Sequence, residues 1–337
     1  MKLWFERGAW ASRKGRQKAA QLSPDKIRSI AVIRHAALGD MVLVRAFLGE
    51  LRKHFPNASI TLSLVSNYTY GVPEDMVDRL HVIHGSDQRQ APTGEKIRRI
   101  KELGYHDLLF DLAATSRSFW TCLLNPAGLK IGFPYRSMQK HLYYDLAVLR
   151  SDFKFEAELM LDMLNLIGCK TDYPPDFHMS VEPANRSGPY VVYFTSASTP
   201  EKCWPEERFA GLIAQAASRY PDQEHLVLEG REEWESVESL MNKIGNIDNV
   251  RSIKAMPLDE TMSLLKGAQL VVCNDTGIRN LAIALDTPTL GIFYSTVPYR
   301  YWPRYGCHDA VFMTDGSVPP VEAVYESYDK LLSRDEA

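Results

Sequence analysis

No stretch of this chain approaches the ~20 consecutive apolar residues of a membrane-spanning helix. Residues 1–20 also lack the apolar core of a secretory signal. The five cysteines, Cys122, Cys169, Cys203, Cys273 and Cys307, are scattered and form no CxxC pair. Such an odd set fits a reducing compartment and gives no metal framework. Asp-x-Asp and HExxH are absent and the histidines are isolated, so no metal site and no Ser-His-Asp spacing is read. The G-x-G-x-x-G fingerprint and the P-loop G-x-x-x-x-G-K are missing too. A net charge of -3 gives no excess of basic residues and argues against a general nucleic-acid binder. The expectation is a cytoplasmic protein with no cofactor and no metal.

What is present is an alternation. A chain of 337 residues exceeds the usual single domain, which predicts two. Strand-like runs at 29–35, 59–65, 80–83, 107–112 and 129–133 alternate with helical patterns at 41–55, 95–103, 116–124 and 155–167. The stretch 171–189 holds four prolines and little periodicity, and reads as a linker. A second alternation follows, with strands at 190–194, 225–229, 250–253, 270–273 and 289–294. Its helices are read at 205–219, 232–244, 258–266 and 277–285. Residues 1–175 and 188–320 are therefore read as two α/β domains with mainly parallel, doubly wound sheets, and 321–337 as a C-terminal helix. Ligands of such sheets lie beyond the carboxyl ends of the strands, so a central cleft faced by both domains is expected.

Three turns carry candidate chemistry. The run VVCNDTGIRNLAIAL at 271–285 reads as strand, tight turn and helix start. The open N–H groups of that helix and its dipole favour a phosphate. Thr276 and Gly277 suit the phosphate, and Asp275 suits sugar hydroxyls. A plain helix cap at Asp275 or Thr276 explains the same residues. In the same half, the loop TSASTPEKCWP at 195–205 clusters hydroxyls, including Ser198, with the point charge of Lys202, which suits a diphosphate. In the first half, Arg34 to Asp40 lead into a helix. Asp40 is either a cap or a general base toward an attacking hydroxyl, and the spacing by itself favours the cap.

Other features have bland readings beside sharp ones. Asp111, Arg117, Ser118, Lys130 and Arg136 can meet an anionic acceptor or be ordinary surface charges. Glu229, Glu232, Glu233 and Glu235 can meet a ribose, but an acid-rich helix start accounts for them better. The aromatic and basic loop Tyr299–Tyr305 can stack on a base or a sugar. Residues 1–20 interleave Trp4, Phe5 and Trp10 with six basic side chains. They suit an anionic membrane surface or, slightly better, a helix packed on its own domain.

These residues together resemble the bacterial lipopolysaccharide heptosyltransferases, glycosyltransferase family nine. The resemblance rests on IAVIRHAALGDMVLVRAFLGELRKHFPNASITL, DLLFDLAATSRS with LKIGF, EKCWP before ERF, and VVCNDTG followed by LAIALDTPTLGIF. It covers roughly residues 29–296. It implies the GT-B architecture, with two Rossmann-like domains facing a cleft: an acceptor domain first, a nucleotide-sugar domain second. It implies inverting transfer of heptose from ADP-heptose to the lipopolysaccharide inner core, the Kdo-lipid A region, without an essential metal. Carried over, it makes Asp40 the catalytic base. It assigns Ser198, Lys202, Asp275, Thr276, Gly277 and Asn280 to the donor, and Arg117, Ser118 and Arg136 to the acceptor. The chain departs from the family at Asn280, where a histidine is usual, and at Tyr294-Ser295-Thr296, where Gly-Pro-Thr is usual. Those changes bear on the donor sugar. The rival expectations are a transferase using another nucleotide sugar and a non-catalytic nucleotide-sugar-binding protein. The basic segment 1–20 suits a peripheral enzyme on the inner face of the cytoplasmic membrane.

Overall fold

A computed structural model describes residues 10–133 and 143–333. The chain divides into two compact units, Met1–His178 and Met179–Ala337.

The first unit is built on strands β1 (Trp10–Ala11), β2 (Ser29–Ile33), β3 (Ser59–Val65), β4 (Arg79–Ile83), β5 (His106–Asp111), β6 (Ala127–Gly132) and β7 (Leu146–Ala147). They form one sheet in the order β1-β7-β6-β5-β2-β3-β4. Pairing is parallel throughout except at the edge, where β1 runs antiparallel to β7. Ile30, Ala31, Val32 and Ile33 are all fully buried. A strand buried on both faces has no polar alternation, which is why β2 reads as a continuous apolar run. The sheet's helices include Leu38–His54, Thr93–Lys101, Ser116–Leu124 and Glu156–Leu166.

The second unit contains β8 (Tyr190–Phe194), β9 (Glu224–Leu228), β10 (Val250–Ile253), β11 (Leu270–Asn274), β12 (Thr289–Ile292) and β13 (His308–Val311). All pair in parallel, in the order β10-β9-β8-β11-β12-β13. The helix Val321–Leu332 contributes Val324, Tyr328, Leu331 and Leu332 to the same core as Val191, Phe209 and Leu212. Each unit is thus a doubly wound, Rossmann-like sheet. In each, the strand order reverses beside the first strand of the βα alternation, at β2/β5 and at β8/β11. Loops leaving the carboxyl ends of such a pair open a crevice.

Several expected boundaries move. The helix expected from Met41 begins at Leu38, so Asp40 is its third residue. The single helix expected at 232–244 is a 3-10 turn, Glu233–Glu235, followed by the helix Glu238–Ile244. The extended backbone of Ser236, at φ -61 and ψ 140, separates them. Strands β1, β7 and β13 went unread because they are short or begin on polar residues.

Residues 10–20 pack on their own unit. Ser12 caps the helix Arg13–Ala20, its backbone N–H donates to Asp145 O at 3.1 Å, and Lys18 pairs with the Asp145 carboxylate at 3.1 Å. Within the proline-rich stretch, Phe177 is buried. Arg45 donates to Phe177 O and to His178 O, both at 2.9 Å. The part of the expected linker up to His178 is therefore docked on the helix Leu38–His54. Among the described residues, no helix is long and apolar enough to cross a membrane.

Candidate active site

At the β8/β11 reversal one buried amide fixes the geometry. Asn274 ends β11 with no exposed surface. Its Nδ2 donates to Thr195 O at 2.6 Å, and its Oδ1 accepts from Trp204 N at 3.0 Å. One side chain thereby holds both ends of the loop that leaves β8. Trp204, itself buried, anchors that loop further through Nε1 to Pro319 O at 2.9 Å. The sequence reading gave Asn274 no role. A polar side chain directly continuing a buried apolar strand was the available signal.

Held in this way, the loop's 3-10 turn Pro200–Lys202 brings Lys202 Nζ to 3.6 Å from Asp275 Oδ2. The same oxygen accepts the hydroxyl proton of Thr296 at 2.8 Å. Thr276 occupies the N-cap place of the helix Gly277–Ala284, yet its hydroxyl makes no capping bond. The Asp275 carboxylate is turned to Thr296 and Lys202 rather than to the helix N–H groups. The plain-cap reading of this turn therefore fails, and a helix N-terminus without a side-chain cap lies beside an ammonium group. Phosphate oxygens fit that combination, through backbone N–H groups, helix dipole and point charge. Ser198 is exposed on the same loop, and Gly277 is half-buried.

Arg279 and Asn280 lie one turn further on, both buried. The charge of Arg279 stays inside the unit. Its guanidinium donates to Tyr301 O and, at 3.3 Å, to Asp309 O, and lies over the Phe293 ring at 5.2 Å. Burial lowers its pKa from the ordinary arginine value. Gly291 makes room for it, since a Cβ there would come within 2.4 Å of Arg279 Nε. Arg279 thus ties the helix to the loop before β13.

At the β2/β5 reversal of the first unit, the cap reading of Asp40 also fails. The N-cap place belongs to Ala37, and Asp40 sits in the first turn, where the dipole favours a carboxylate. Arg34 Nη2 lies 2.9 Å from Asp40 Oδ1. Its Nη1 donates to Leu112 O at 2.7 Å and to the buried Glu156 at 3.0 Å. Arg150 reaches the same Glu156 oxygen at 2.8 Å. Asp40 is 30 % exposed while Arg34 is 2 % exposed, so the carboxylate faces outward from a buried cation. Beside it His35 is buried, and burial draws its pKa down to about 3, with His81 and Arg117 pushing the same way. That ring is neutral near pH 7.

The acceptor candidates fare unequally. Arg117 is exposed on the first turn of the helix Ser116–Leu124. Ser118 is fully buried and closes that helix's capping box: its Oγ accepts from Thr115 N at 2.9 Å and donates to Thr115 O at 2.9 Å. Its hydroxyl is therefore engaged by its own helix cap. Arg136 lies outside the described residues. Asp111 is buried, accepts from Ala113 N, Ala114 N and Tyr144 Oη, and has its pKa raised by burial. It shapes the strand exit.

Two further candidates have partners within their own unit. Glu229 pairs with Lys254 at 2.9 Å, and Glu232 and Glu235 close a capping box on each other. The aromatic loop stacks on its own arginine, with Arg304 over Trp302 at 3.9 Å and over Tyr299 at 5.2 Å. Among the described residues, no group of three or more His, Cys, Asp or Glu side chains is placed to hold a metal ion.

Comparison with known proteins gives consistent results. The family model glycosyltransferase family 9 (heptosyltransferase) matches residues 97–315. Lipopolysaccharide heptosyltransferase 1 of Escherichia coli strain K12 is 28% identical over 130 residues, 38% of this chain and 39% of that protein. The match thus spans about two fifths of that relative's length. Lipopolysaccharide heptosyltransferase 3 of Escherichia coli is 22% identical over 289 residues, 78% of this chain and 83% of that one. The solved structure of an E. coli heptosyltransferase with ADP superposes with a TM-score of 0.71 at 18% identity. It covers 90% of this chain and 99% of that chain. That likeness establishes the fold, the GT-B pair of Rossmann-like domains.

Proposed function

Because the chain belongs to glycosyltransferase family 9, as the match over residues 97–315 shows, we propose that it transfers heptose with inversion from ADP-heptose to the inner core of lipopolysaccharide. The observation that carries the proposal is the constellation at the β8/β11 reversal. Lys202 stands 3.6 Å from Asp275, next to a helix N-terminus whose N-cap hydroxyl makes no capping bond. The proposal assigns the donor to the second unit. Lys202, Thr276 and Gly277 meet the diphosphate with Ser198 at the loop's edge, Asp275 meets sugar hydroxyls, and Asn280 belongs to the same donor site. Acceptor and base belong to the first unit, with Arg117 and Arg136 as anion contacts and Asp40 as base.

In this reaction the acceptor hydroxyl oxygen bonds to the anomeric carbon. The bond from that carbon to the diphosphate oxygen breaks, and the hydroxyl proton passes to the Asp40 carboxylate. Arg34 holds that carboxylate at its Oδ1. ADP leaves with a new negative charge, which Lys202 and the helix N-terminus stabilise as it develops. The proposal places the enzyme at the cytoplasmic face of the inner membrane.

The test is transfer from ADP-heptose to a truncated inner core, wild type beside Asp40→Ala, with ADP release and donor binding both followed. Transfer that is lost in the variant while donor binding persists supports the proposal. Binding without transfer by either protein favours a binding protein. Absence of ADP-heptose binding favours a transferase using another nucleotide sugar, with the altered turn Ile278–Asn280 as its cause.

A further inference from the structure

The Asp275 carboxylate has two unlike oxygens. Oδ2 accepts the Thr296 hydroxyl at 2.8 Å and stands 3.6 Å from Lys202 Nζ. Among the described residues, the hydrogen bond and the ion pair of this carboxylate both fall on Oδ2. The side chain is 14% exposed, so a ligand that reaches it meets one fixed face and not a rotating group. A carboxylate anchored through one oxygen presents the lone pairs of the other in a defined direction, and polyol hydroxyls are donors that need such a direction. Thr296 comes from the segment after β12, 21 residues further along the chain, and its neighbours Ser295 and Val297 are exposed. Its hydroxyl therefore orients the carboxylate without being part of the phosphate-binding turn.

We propose that Thr296 is the residue that sets donor-sugar specificity: by holding Asp275 Oδ2 it aims Oδ1 at the hydroxyls of the donor's sugar, leaving the nucleotide diphosphate to Lys202 and the turn. This inference rests on the donor assignment proposed above. Thr296→Val removes the donated proton at nearly constant shape and leaves the carboxylate with Lys202 alone. Thr296→Ser keeps the proton.

The measurement is calorimetric binding of ADP and of ADP-heptose to wild type, T296V and T296S, with melting temperatures recorded for all three. T296V is expected to weaken ADP-heptose by about tenfold, the scale of one hydrogen bond to a charged group. ADP affinity stays within about twofold of wild type, and T296S restores ADP-heptose binding. In the transfer assay the same change raises KM for the donor with little change in kcat, because the contact holds sugar and transition state alike. A merely structural role for Thr296 would weaken ADP and ADP-heptose together and lower the melting temperature, and that result overturns the inference. Equal ADP-heptose affinity in T296V and wild type overturns it while leaving the donor assignment standing. If wild type binds neither ADP nor ADP-heptose, the donor assignment falls and the inference with it.

Discussion

Arg34 and Asp40 form an ion pair at 2.9 Å in which the cation is buried and the carboxylate is partly open. The arginine also compensates Glu156, which is fully buried. Taking one partner from a buried charge cluster costs about 3–5 kcal/mol. Arg34→Met is therefore expected to lower the unfolding free energy by that amount, read by urea titration. Arg34→Lys keeps the charge but loses the planar fork that serves Asp40, Leu112 and Glu156 together. It should retain most of the stability and still lose transfer more than tenfold. An Arg34→Lys enzyme with wild-type kcat would show that the tether does not position the base.

Asn274 joins two loop ends that are 9 residues apart, Thr195 and Trp204. Asn274→Ala leaves a carbonyl and an N–H without their partner, at about 1–3 kcal/mol each. The loop that carries Lys202 is released at the same time. The expected result is a loss of about 2–6 kcal/mol in stability, with weaker ADP binding even at temperatures well below melting. Unchanged ADP affinity in a destabilised variant would separate the clamp from the ligand site.

Among the described residues, burial lowers the pKa of five buried histidines, His35, His81, His106, His225 and His308, and three of them fall furthest. Burial draws the pKa of His35 to about 3, of His225 to about 4 and of His308 to about 3, all below the ordinary value of 6.5. Between those values and 6.5 the unfolded chain binds more protons than the folded one. Their contribution is thus complete above pH 6.5 and is lost as pH falls toward the folded values, each by up to about 1.4 kcal/mol per pH unit. Urea unfolding at pH 7, 6 and 5 should show this decline. His225→Asn should reduce its slope by roughly one such increment, and an unchanged slope would remove His225 from the account.

Ser118 and Arg117 offer a paired test of the acceptor contacts. Ser118→Ala opens the capping box with Thr115 and should cost about 1 kcal/mol. KM for the acceptor should stay at its wild-type value. Arg117→Ala, exposed and one residue earlier, should raise acceptor KM with little change in stability. A rise in acceptor KM for Ser118→Ala with Arg117→Ala silent would reverse the assignment.

Much of the fold was legible because strands buried on both faces leave unbroken apolar runs. Ser59–Val65, Tyr190–Phe194 and the helix Leu258–Lys266 lie at the residues expected. The start of the helix carrying Asp40 was misplaced because Leu38-Gly39-Asp40 reads locally as a turn, and its helical state emerges with the Arg34 tether. The turn at Asp275 was legible as a strand-to-helix junction, and Lys202 followed from its place after the neighbouring strand. Asn274 and Thr296 were not, since their partners lie 70 and 21 residues away in the chain and only the folded sheet brings them together. The capping box of Ser118 was hidden for a similar reason: a serine after a strand end looks free until the folded helix start closes on it.

Under the proposed donor assignment, substitution of Lys202 gives the sharpest division between leaving-group and sugar contacts. Its ammonium is 29% exposed and 3.6 Å from Asp275. An ammonium this accessible can turn to a diphosphate without breaking a buried pair, so its removal should cost little stability. Lys202→Met is expected to weaken ADP by about tenfold or more, the scale of a charge-assisted hydrogen bond. It should lower kcat as well, because the charge on the leaving diphosphate grows in the transition state. Wild-type ADP affinity should fall with added salt, and that dependence should shrink in the variant. The contrast with Thr296→Val is the decisive comparison. Lys202→Met lowers ADP and ADP-heptose affinity together and lowers kcat, whereas Thr296→Val acts on ADP-heptose alone. If Lys202→Met binds ADP as wild type does and transfers at the wild-type rate, the diphosphate is held elsewhere, and the site at the β8/β11 reversal must be reassigned.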